Sequence, residues 1–317
     1  MGNAWVCQPT PCPNTPKFKM KKIIAQSGLA ILAALGGHAA QAEGHYVAGV
    51  EGIQAASVPP PGTYYLGYMV HYSADDFRIP GTSTSLPGSN TATVDALANR
   101  VVWISTHKVL GADFGMEAIV PVVRTSLSFT APGTPPPQSE SGVGDVYLGP
   151  VVLGWHGSNW DAVAAAGVWL DSGSSSTPAA PGKGFKSTML TGGVTYYFDS
   201  AKTWSGSALM RYEINTAKSN GITPGDQATI EWGFGKAMGP VQVGLVGYNQ
   251  WQVNADSGPL ATNFKSKRNA IGGEIVYPIM SSGVILKAAL YKEYTSEAGS
   301  GPEPKGSLLR FTLVKFF

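Results

Sequence analysis

The sequence predicts an all-β fold: a transmembrane, antiparallel, up-and-down β-barrel of about 12 strands. Three observations carry this. The chain closes on an alternating segment, 308–317, that ends in Phe317. From Thr63 onward, segments of about 10–15 residues with period-two alternation recur. The connections between those segments are alternately short and long, as they are in outer-membrane barrels.

The amino end reads as export machinery. Lys21 and Lys22 after Met20 form a basic region, 23–35 is an apolar run too short to span a bilayer, and Ala40-Gln-Ala42 is a small-x-small cleavage site. Residues 20–42 are therefore expected to be a signal peptide cleaved after Ala42, and 1–19 an upstream extension outside the mature chain. Both cysteines, Cys7 and Cys12, fall in that extension. The mature barrel would then hold its shape without disulfides, by closing its sheet. Residues 43–62 follow as a leader ending in three consecutive prolines, Pro59 to Pro61. Proline lacks the donor a sheet needs, so this stretch is expected either to hang in the periplasm or to tuck into the lumen as a partial plug.

Strands are expected at 63–74, 97–108, 112–127, 143–155, 159–171, 186–199, 202–216, 226–238, 240–254, 265–278, 283–295 and 306–317. Tight turns at 111–112, 156–158, 200–201, 239 and 280–282 join some of them; long polar segments at 75–96, 128–142, 172–185, 217–225, 255–264 and 296–305 join the others. Short turns would face the periplasm and long loops the exterior. Alternation then assigns two faces. Trp204, Ala208, Met210 and Ile214 oppose Ser205, Ser207, Arg211 and Glu213; Ile230, Trp232 and Phe234 oppose Thr229 and Glu231. The apolar faces suit lipid, and Tyr64, Tyr196, Tyr197, Trp204, Trp251 and Tyr277 suit interfacial girdles. In the last strand Leu309, Phe311, Leu313 and Phe317 share a face that Lys315 interrupts near the end, where it can snorkel. Phe317 is expected to be the signal that the barrel-assembly machinery reads.

Composition excludes other classes. Only 13% of residues are charged, the net charge is +2 and the mean hydropathy is +0.01. No run of about 20 apolar residues marks a helical membrane protein, and no basic cluster points to nucleic acid. Gly142-Val-Gly-Asp145 lacks the third glycine and the helix of a nucleotide-binding turn. It reads as a loop entering a strand, with Asp145 bonding nearby N–H groups. The loop carboxylates have no metal-binding spacing, and neither a metal nor a cofactor is implied.

Several phrases resemble the meta-pathway phenol degradation family: Gly49-Val-Glu-Gly-Ile-Gln-Ala-Ala-Ser-Val-Pro-Pro-Pro-Gly-Thr-Tyr-Tyr65, Gly142-Val-Gly-Asp-Val-Tyr-Leu-Gly-Pro150, Tyr212-Glu-Ile-Asn215 with Thr223-Pro-Gly-Asp226, and Gly247-Tyr-Asn-Gln-Trp-Gln-Val-Asn-Ala-Asp-Ser-Gly258. The likeness spans the whole mature chain. It implies an outer-membrane channel or transporter associated with aromatic catabolism.

The expected site is the lumen, with His71, Glu117, Arg211, Glu213, Glu231, Arg268, Glu274, Lys287, Glu293 and Arg310 as candidates. Charges of both signs in a narrow lumen must pair, either lining a polar path or forming a salt-bridged plug. The expected function is passive uptake of small aromatic or other hydrophobic compounds across the outer membrane of a Gram-negative bacterium. The expected surroundings are outer-membrane lipid and lipopolysaccharide. A general polar-solute porin and an outer-membrane lipid hydrolase are the alternatives. The hydrolase would need serine and histidine on outward faces; parity assigns His71 and Ser73 to the lumen, so no enzyme is expected. The oligomeric state is not legible.

Overall fold

The computed structural model describes residues 1–2, 44–130, 134, 136–259 and 261–317. The expected signal peptide, both cysteines and Glu43 lie outside the described residues. The strands are β1 (Gly62–Arg78), β2 (Thr91–Val109), β3 (Ala112–Ser128), β4 (Gln138–Val143), β5 (Tyr147–His156), β6 (Trp160–Trp169), β7 (Ser187–Tyr197), β8 (Trp204–Asn215), β9 (Gln227–Met238), β10 (Val241–Gln252), β11 (Lys267–Ile279), β12 (Val284–Glu297) and β13 (Glu303–Phe316).

Every neighbour is antiparallel, and β1 pairs with both β2 and β13, so the sheet closes on itself. The wall has twelve staves because β4 and β5 share one. β4 pairs with β3 over 122–127; β5 pairs with β3 over 113–119 and then with β6. The chain steps out of the sheet between them at Gly144 and Asp145. Closure matters physically, since no backbone donor or acceptor can be left unpaired against lipid.

The end strands meet as their sequences require. Tyr64 lies opposite Phe316 and Met69 opposite Phe311, the Phe317 N–H donates to the Thr63 carbonyl at 3.1 Å, and Lys315 Nζ reaches the Ser282 carbonyl at 2.6 Å. One of the two shortest connections, Leu110-Gly111, has both residues at positive φ (53° and 78°). That is the twist which joins two adjacent strands without splaying them. Two expectations shift. The first long loop shrinks from 75–96 to 79–90, because β1 and β2 continue as polar strands beyond the apolar belt. Tyr64 and Tyr197 leave the girdle: Tyr64 packs on the inner Val58 cluster and donates to the Pro60 carbonyl at 2.8 Å, and Tyr197 is buried inside, with its hydroxyl donating to Asp161 at 2.7 Å.

The outward faces are apolar, with Leu97, Val101, Leu190, Val194, Leu245, Ile275, Leu290 and Phe311 among the exposed side chains. Tyr196, Phe198, Phe234 and Trp204 form a chain of ring contacts at the short-turn end, with Lys236 Nζ 4.8 Å from the Trp204 ring. The interior is filled by the leader. Residues 44–61 run down the barrel, and Tyr46, Ile53 and Val58 each seat in a cluster of wall residues. Tyr46 packs with Tyr147, Trp169 and Met189 at the long-loop end. Val58 packs with Val102, Ile104 and Val152 at the short-turn end.

A leader plug and an apolar cavity as candidate functional site

A non-strand segment inside a barrel has no neighbouring strand to satisfy its backbone, so the wall must supply partners. Three glutamates do so. Glu213 accepts from the His45 and Tyr46 N–H groups at 3.0 and 3.2 Å. Glu231 accepts from the Glu51 N–H at 3.0 Å and from the Tyr46 hydroxyl. Glu274 accepts from the Ile53 N–H at 2.5 Å and is paired with Arg310, which also donates to the Val50 carbonyl. Ser207 Oγ donates to the Ile53 carbonyl at 2.5 Å. A carboxylate is acceptor-only with two oxygens, which suits it to a segment presenting several N–H groups. Gly52 (φ 83°) lies against Glu274, where a Cβ would run into the carboxylate.

The leader contributes one carboxylate in return. Glu51 accepts from Arg100 Nη1 at 3.1 Å and from Arg211, and the Arg211 guanidinium lies 4.1 Å from the Tyr46 ring centre. Lys287 and Arg310 add to the positive charge around Glu51. Arg100 also binds Glu117 at 2.6 Å. Around the wall, Arg268 bridges Glu303 at 2.9 Å and Glu293 at 3.5 Å. Glu293 also accepts from Tyr72 and Tyr248 at 2.9 and 2.8 Å. Lys287 faces inward and is half-buried.

Nine of the ten candidate side chains therefore point inside, and most of them hold either the leader or one another. His71 is the correction. It is half-exposed on the outer wall, where Nδ1 lies 2.7 Å from Asp95 Oδ1. Its neighbours Val70 and Tyr72 are the ones buried inside. The polar-inward rule fails on β1 because the lumen there is apolar, and Ser73 turns outward with His71. Arg100, Glu51 and His45 were missed. A signal for the last two existed: Tyr46, Ile53 and Val58 are bulky apolar residues in a segment that would otherwise sit in water.

Between leader residues 44–51 and the inner faces of β1, β2 and β3 lies a cavity of about 220 Å³. Its wall is apolar over Val70, Val94, Ala96, Ala98, Ile119 and Val123, with Arg100, Thr125, Asp145 and Lys183 at its margins. Asp145 ties three parts together there. It accepts from the Ser172 and Gly173 N–H groups at 3.0 and 2.8 Å and from the Lys183 N–H at 2.7 Å; His45 Nε2 lies 3.3 Å from it. Burial opposes ionising Asp145, yet His45 and these N–H groups keep its carboxyl low. The His45 ring stacks on Trp169 at 5.5 Å, and its Nδ1 meets Ser187 Oγ at 2.7 Å. Burial disfavours the imidazolium, but Asp145 and Glu213 prevail and raise its pKa. Lys183, in the loop, is pushed down to about 8 by burial and by Lys218 and Arg268.

The profile of the family described as "Putative MetA-pathway of phenol degradation" matches residues 74–311. The chain belongs to this family. Among solved structures it is similar to the COG4313 outer membrane channel from Pseudomonas putida F1, at a TM-score of 0.72 and 14% identity, covering 86% of this chain and 100% of that one. Weaker likenesses include the β domain of the Bordetella autotransporter BrkA (TM-score 0.46, 11% identity, 80% of this chain and 99% of that one). Another is the CymD monoaromatic hydrocarbon channel (TM-score 0.41, 8% identity, 81% and 90%). No curated protein sequence matches. At 14% identity the likeness to the Pseudomonas putida channel establishes the barrel fold of outer-membrane channels.

Proposed function

We propose that this barrel is an outer-membrane channel for passive uptake of small aromatic or other hydrophobic compounds, taken one at a time through the cavity above the leader. The observation that carries this is the cavity's size and lining. An apolar cavity of about 150 Å³ holds one benzene, and this one measures about 220 Å³. A sugar would lose its hydrogen bonds to water on entering such a wall, at a cost of about 1–3 kcal/mol for each group left unpaired. The Glu51–Arg100–Arg211 group and the leader close the floor, so passage onward needs the leader to shift. Weak contacts are a requirement for release, which favours a solute held mainly by apolar surface.

Flux through the purified barrel in lipid vesicles tests this: toluene- and phenol-like solutes against sugars of similar size, with single-channel current in parallel. Selective aromatic entry with little current is the expected result; sugar entry with steady current would make it a general porin. Deleting residues 44–55 should open the lumen to ions and sugars.

One observation favours a second reading. His71, Asp95 and Ser73 share the lipid face, the residue types of a hydrolase. However, no hydrogen bond joins Ser73 to His71 among the described residues. Fatty-acid release from the same vesicles, lost in Ser73→Ala, would establish the hydrolase.

A further inference from the structure

The outer wall from β12 to β4 has a sharp chemical boundary. On β1 to β4 the paired row Met69, Leu97, Val122 and Val143 is the last apolar one, and the next row toward the long loops is His71, Asp95, Arg124 and Ser141. On β13 the apolar face runs one row further, with Leu309 opposite His71, and Ser307 and its partner Lys292 lie in the row beyond. This step is where lipid chains give way to headgroups. A groove crosses the boundary. Met69, Leu97, Val122 and Phe311 line its apolar half, while His71, Asp95, Arg124 and Ser141 line its polar half.

Charge decides what fits there. Asp95 is engaged by His71 at 2.7 Å. Arg124, opposite Asp95 in register and exposed, takes part in none of the ion pairs among the described residues. A guanidinium directly above an apolar trough is complementary to a phosphate carried on acyl chains, since its planar fork binds two phosphate oxygens at once. We propose that this groove is a binding site for a phosphorylated outer-leaflet lipid. Arg124 and the Ser141 hydroxyl hold the phosphate, and Met69, Leu97, Val122 and Phe311 hold a chain. The site is on the outside of the barrel and independent of what passes through it. The long-loop end, placed outside by the loop pattern, makes lipid A the occupant.

The test is co-purification and native mass spectrometry of the detergent-solubilised barrel with lipid A and with enzymatically dephosphorylated lipid A. Wild-type protein should retain the phosphorylated form at least ten-fold better. Arg124→Gln should hold the two forms equally, and Lys292→Gln, one row further toward the long loops and outside the groove, should keep the preference. Equal retention by wild type, an undiminished preference in Arg124→Gln, or its loss in Lys292→Gln would each overturn the assignment. Heat-modifiable gel mobility verifies that each variant is folded, and the wild-type comparison of the two lipids stands even if one is not.

Discussion

Filling the cavity is the sharpest perturbation of the uptake reading. Ala96 faces inward between Val70 and Val123 and lines the cavity. Ala96→Phe would place a phenyl ring where the solute is proposed to sit. With about 150 Å³ taken by one ring out of about 220 Å³, roughly 70 Å³ remains, enough for waters and too little for a second ring. A buried aromatic ring contributes about 2–3 kcal/mol of transfer free energy. Losing that for the solute corresponds to roughly 30- to 140-fold weaker occupancy. Ala118, paired with Val101 and Leu148 on the lipid face, supplies the matched control, since Ala118→Phe adds the same ring outside. Vesicle flux of toluene should fall at least ten-fold in Ala96→Phe and stay at the wild-type rate in Ala118→Phe, with both barrels folded. Unchanged flux in Ala96→Phe would show that solutes do not pass through this cavity.

Three further outcomes follow from the leader and the closing strand. Glu274→Ala removes an acceptor from the leader and leaves Arg310, fully buried, without its carboxylate. Breaking a buried pair in this way costs about 3–5 kcal/mol. The urea midpoint of the barrel should drop and proteases should cut the leader; an unshifted midpoint would refute the leader's anchoring role. The His45 pKa is raised in the fold from an ordinary value of about 6.5. Its contribution is therefore complete below about pH 6.5 and lost as pH rises through the raised value. Protease protection of residues 44–50 should weaken as pH rises above about 6.5 in wild type and lose most of that pH dependence in His45→Gln. Deleting Phe317, whose backbone N–H bonds only the Thr63 carbonyl, should slow insertion in cells while detergent refolding stays near normal. Equal insertion in cells would show that the assembly machinery reads something else.

The barrel was legible because its constraints are local and repetitive. Every strand must alternate, every edge must pair, and the ends must match, so Leu309, Phe311 and Leu313 announce a lipid face regardless of what lies inside. Inward charges such as Arg211, Glu213 and Glu231 were legible on the same period. What they do was not, because a glutamate facing a lumen has the same sequence signature whether it meets water, a solute or a leader. That choice depends on the path of residues 44–61, and proline-rich backbone without a strand partner has no intrinsic period to betray its route.

His71 shows the limit most clearly. Alternation defines two faces and leaves open which is outer; the usual assignment of polar to lumen holds only where the lumen is wet. On β1 the buried side is Tyr68, Val70 and Tyr72, packed against the leader and the cavity, and the polar His71 turns to the headgroup level instead. The sequence by itself determined the closed sheet and the two faces of most strands, since both follow from backbone satisfaction in lipid. Only the tertiary structure decided that residues 44–61 lie inside the barrel, that an apolar cavity remains beside them, and that Asp145 joins the leader to a loop. Those contacts link residues far apart in the chain, by 49 positions between Glu51 and Arg100 and by 221 between Ile53 and Glu274, and nothing in local alternation specifies them.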